Sequence, residues 1–63
     1  MKILQAERLT HGRSESWRVT FSEPINDRNQ AEMIKLLQSL SWLWQTTITT
    51  ISPDTIIYEG WTD

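Results

Sequence analysis

The chain contains no cysteine, and at 63 residues that absence decides most of what it can become. A domain of this size buries only about 60% of the surface its unfolded chain exposes, so it needs help from disulfides, a structural metal, self-association or unusually good packing. Disulfides and thiolate metal sites are excluded outright. Packing remains, and four tryptophans serve it, each able to bury roughly 150–250 Å². Self-association remains too, so a homodimer is an expected state. Splitting the chain would leave neither part a core, so residues 1–63 read as one small domain. The lack of thiols also fits a reducing compartment.

The opening "MKILQAERL" has one lysine, two apolar residues and then polar ones, which falls short of a secretory leader. No run approaches the length of a transmembrane helix. The expectation is a soluble, cytoplasmic protein with no membrane partner.

The clearest element is "SWRVTFS", in which Trp17, Val19 and Phe21 alternate with Arg18, Thr20 and Ser22. That is a half-buried strand with one apolar face. Before it, "MKILQAERL" is a less decided strand, with Leu4 and Ala6 continuing one face and Leu9 on the other. The polar "THGRSES" between them makes a hairpin the economical reading.

Pro24 cannot donate to a ladder, and "NDRN" supplies helix caps. Asp27 followed by Gln30 resembles a capping box, and Asn26 is the competing cap. From Ala31, at about 100° per residue, Leu43, Leu36, Leu40, Met33, Trp44, Leu37 and Ile34 fall between about 120° and 300°. This is an amphipathic helix over 27–41. Trp42 sits near 20° on the same wheel, among polar residues, so the helix is expected to end near Ser41, leaving that ring partly exposed. Trp17 and Trp44 are expected in the core.

Beyond the helix, "QTTITTI" has high β-propensity and no charge. Pro53 and Asp54 suit a turn. "TIIYEGW" closes the chain as a strand whose two faces both mix polarity, with Gly60 hinting at a bulge or a close backbone approach. The order strand, strand, helix, strand, strand predicts an α+β two-layer domain, ββαββ, with one antiparallel sheet and the helix packed on one face.

Chemistry is sparse. His11, the single histidine, lies in the polar hairpin loop without the partners a triad or metal site needs. The carboxylates are scattered singly, and Gly12 and Gly60 are too far apart to form a phosphate loop. The reading is non-enzymatic, with no catalytic residue, no metal and no cofactor.

Two binding readings remain. Arg8, His11, Arg13 and Arg18 could converge on the first hairpin and contact nucleic acid. Residues 1–22 carry a net +2, but Glu7 and Glu15 dilute the field, and residues 23–63 carry −4. The favoured reading is protein binding by an inhibitor, adaptor or regulator of a larger partner, with Trp42, Tyr58 and Trp61 as contact residues. Those residue types carry interface energy, and the charge-free "TTITTI" strand could pair through its edge.

Overall fold

The computed structural model describes residues 1–10 and 12–62, so His11 and Asp63 lie outside the described residues. Among those described, the elements are β1 (Ile3–Arg8), β2 (Ser14–Phe21), α1 (Gln30–Leu40), β3 (Trp44–Ser52) and β4 (Thr55–Trp61). They form one antiparallel sheet in the order β1-β2-β4-β3. The two hairpins therefore meet through β2 and β4, and β1 and β3 are the outer strands.

The alternation of β2 sets the core. Val19 and Phe21 are buried on the helix side, and the register places Val19 opposite Ile56 and Trp17 opposite Tyr58. Met33 and Leu37 of α1 and Leu43 beyond it complete the buried cluster, with Trp17, Leu36, Leu40 and Ile48 packed at its margin. This settles the ambiguous last strand: Ile56 and Tyr58 face in, while Ile57, Glu59 and Trp61 share the face opposite the helix, the open face.

In β1 the expected phase does not hold. The register shifts between Ile3 and Gln5, so Ile3 and Ala6 both pack on the core and Leu4 is exposed. A one-residue bulge flips every side chain beyond it, which simple alternation does not anticipate.

The helix begins at Gln30, later than expected, and the Asp27–Gln30 capping box does not form. Asn26 organises the approach instead, its Oδ1 accepting from the backbone N–H of Arg28 at 2.8 Å and of Asn29 at 3.2 Å. Residues 27–29 are thereby spent in a turn. Asn29, the first cap position, points its amide backward to the Pro24 carbonyl at 2.9 Å. At the far end, the Ser41 N–H donates to the Leu37 carbonyl and the chain turns extended, so the helix stops where the wheel placed its end.

At 11 residues α1 spans about 16 Å, too little to cover a sheet whose longest strand has nine. The uncovered portion is β3. Apart from Ile48 and Ser52, its side chains are exposed on both faces.

Candidate protein-binding surface

The exposed end of the domain is built outward from Glu15. It continues the inward series Trp17, Val19, Phe21 by one step, so its carboxylate is carried to the helix side, and the residue is only 5% exposed. There it accepts from Trp17 Nε1 at 2.5 Å and Ser41 Oγ at 2.7 Å, and Arg8 Nη2 lies at 3.4 Å. Burial taken alone pushes this carboxyl up, but the Trp17 and Ser41 hydrogen bonds and the Arg8 charge together hold it below its ordinary value.

Ser41 is gripped a second time, because the Tyr58 hydroxyl donates to its carbonyl at 2.9 Å. Strands β2 and β4 thus fix the residue at which the helix ends. They also fix the direction of the next three residues.

Those residues split. Leu43 turns into the core, and Trp42 and Trp44 turn out. Leu43 can descend that far because β4 offers Gly60 beneath it: a Cβ there would stand 2.7 Å from Leu43 Cβ and 2.8 Å from the Trp44 carbonyl oxygen. The close backbone approach expected at Gly60 is therefore present. Immediately after Trp44 the strand bulges, with three steps from Trp44 to Thr47 against two from Trp61 to Glu59. Gln45 takes the left-handed conformation inside this bulge, φ 52°, an uncommon one for a residue with a Cβ.

The outcome is a surface of three large rings. Trp42 is 59% exposed, Trp44 54% and Trp61 53%. Trp42 and Trp44 meet edge to face, with centroids 6.4 Å apart and planes at 87°. Trp44 stands opposite Trp61 in the β3–β4 register. Beside Trp61 lies a shallow cleft of about 200 Å³ lined by Ser14, Gln45, Thr47, Glu59, Gly60 and Trp61. Glu59 accepts from Ser16 Oγ at 3.3 Å and takes part in no ion pair among the described residues.

Of the contact residues expected from sequence, Trp42 and Trp61 stand at this surface and Tyr58 does not. Tyr58 is 2% exposed, a core ring whose hydroxyl is used internally, and burial pushes that hydroxyl's pKa up. Trp44 departs from expectation the other way, since the bulge and the inward turn of Leu43 place it outside. Glu15, read only as a diluting charge, is the hub. The signal for it was in the sequence, as one more term of the odd-numbered series 15, 17, 19, 21.

The basic hairpin does not converge. Arg8 pairs in register with Trp17 on the helix side and binds Glu15, whereas Arg18 pairs with Glu7 on the open face and binds it at 2.7 Å. Arg13 is exposed in the loop before β2, and His11 lies outside the described residues. Among the described residues no group of three His, Cys, Asp or Glu side chains could hold a metal, and no helix is long and apolar enough to cross a membrane.

Compared with protein-family models, with curated proteins and with solved structures, the chain gives no match in any of the three.

Proposed function

We propose that this chain is a non-enzymatic binding domain that presents Trp42, Trp44 and Trp61 to a larger protein partner, acting as its inhibitor, adaptor or regulator. The observation that carries this reading is three tryptophans of four, each more than half exposed, with Trp42 and Trp44 in edge-to-face contact and Trp61 opposite Trp44 in the β3–β4 register. Scattered exposed apolar residues need no explanation, but a contiguous aromatic patch does. Covering what remains exposed of the three would remove on the order of 300 Å² from water, a gross gain of about 7 kcal/mol. Association itself costs roughly 4–15 kcal/mol, so the rings must be supplemented by polar contacts at the cleft. Glu59 beside Trp61 suits a basic side chain, which a carboxylate and a tryptophan face together attract. A cytoplasmic location belongs to the same reading, supported by the lack of cysteine.

Nucleic-acid binding through the first hairpin draws less support. Arg8 and Arg18 lie on opposite faces, and each has a carboxylate partner.

The test is affinity capture from the native host with the wild-type chain, Trp42→Ala and Trp61→Ala. Both variants are expected to keep the far-ultraviolet spectrum and to lose less than about 1 kcal/mol of stability, since they truncate exposed rings. Both are expected to lose the captured partner. Capture that survives both substitutions, in domains shown to be folded, contradicts the reading.

A further inference from the structure

The sheet has two outer strands, and they are not alike. β1 carries Glu7 and Arg8 along its six residues, whereas β3, "WQTTITTIS", carries no charge over nine. Outer strands are ordinarily protected against pairing by lysine, proline, shortness or a covering element. β3 has bulges at its two ends but between them none of these devices, and apart from Ile48, which packs at the margin of the core, the stretch between the bulges is exposed on both faces.

Its middle also has a symmetry. Thr46-Thr47-Ile48-Thr49-Thr50 reads identically in both directions. A two-fold contact places each surface against its own copy, so residue i meets j and j meets i. A strand that is its own reverse satisfies that condition residue for residue.

From the exposed edge and the palindrome together, we propose that β3 pairs antiparallel with β3 of a second copy of this chain, about a two-fold axis perpendicular to the sheet and midway between the two Ile48 residues. Ile48 then lies opposite Ile48 of the second copy, Thr47 opposite Thr49, and Thr46 opposite Thr50. The faces agree: Thr47 and Thr49 are in register with Glu59 and Ile57 on the open face, while Ile48 and Thr50 are in register with Tyr58 and Ile56 on the helix side. Threonine pairs across strands are favourable, and no like charges meet. Farther out, the exposed Ile51 of one copy reaches the end of the strand where Trp44 of the other begins. The product is a continuous eight-stranded sheet with both helices on one face and the two tryptophan surfaces at opposite ends of the shared seam. The proposal rests on β3 alone, so it stands or falls independently of the partner reading above.

A short strand-to-strand seam is a small interface, so the dimer is expected to be weak and visible only from about 10 μM to 1 mM. Sedimentation equilibrium over that range is expected to show the mass rising from one chain to two. Thr47→Lys with Thr49→Lys puts lysine opposite lysine twice, at exposed open-face positions that leave the fold intact, and is expected to hold the chain monomeric throughout. Thr47→Lys with Thr49→Glu puts lysine opposite glutamate twice in this register, and is expected to restore the dimer. A wild-type chain that stays monomeric at the highest concentration overturns the proposal. So does a double-lysine variant that dimerises like wild type, or a lysine–glutamate variant that remains monomeric.

Discussion

Gly60→Ala is expected to lower stability by about 1–3 kcal/mol, the usual cost of forcing a methyl group into filled space. The added Cβ would meet Leu43 Cβ at 2.7 Å and the Trp44 carbonyl oxygen at 2.8 Å, and neither atom is the free end of a flexible side chain. The backbone at Gly60 is not in the left-handed region, so the requirement is for space and not for dihedral freedom. The segment that must yield is Leu43–Trp44, which carries the aromatic surface. Urea denaturation should therefore show the lost stability, and near-ultraviolet circular dichroism should show a changed signal from the Trp42–Trp44 pair. An unchanged midpoint and spectrum would mean that β3 does not start against Gly60.

Glu15→Ala is expected to cost more. It removes the acceptor for Trp17 Nε1 and Ser41 Oγ together, and each donor left unsatisfied in a buried setting costs about 1–3 kcal/mol, less where water can reach it. A total near 2–4 kcal/mol is a large part of what a domain of this size possesses, and corresponds to a fall of roughly 10–25 °C in Tm. The charge has its own signature. Because the folded-state pKa of Glu15 is held below its ordinary value, its contribution is fully present above the ordinary carboxylate range and is lost as pH falls through the depressed value. Glu15→Gln keeps one acceptor but no charge, so its stability deficit relative to wild type is expected to shrink on acidification. A deficit constant from neutral pH down to the acid transition would show that the carboxylate is not stabilised in the fold.

Much of the architecture was legible in the sequence for specific reasons. The strict alternation of "SWRVTF" left a single choice of inward face, and the apolar arc from Met33 to Leu40 could belong only to a helix lying on it. Trp42 fell off that arc, which located the end of the helix. Two of the errors arose where one residue broke a period. The bulge after Ile3 put Ile3 in place of Leu4 on the face of Ala6, and the bulge at Gln45 turned Trp44 outward, since no pattern of apolar residues reports an inserted one. Tyr58 was misplaced because both faces of "TIIYEGW" mix polarity, and only the pairing of β4 with the decided face of β2 resolves them. Glu15 escaped because a charge is not sought on an apolar face, although its spacing put it there.

Trp17 is held at the margin of the core by Glu15, while Trp42, Trp44 and Trp61 stand in solvent. Indole N–H resonances in a ¹⁵N-labelled sample, titrated with a soluble paramagnetic agent, test it directly. One protected signal is expected, lost on Trp17→Phe, and three that broaden together, assigned to Trp42, Trp44 and Trp61. Protection of Trp42 or Trp44 comparable to that of Trp17 would contradict it.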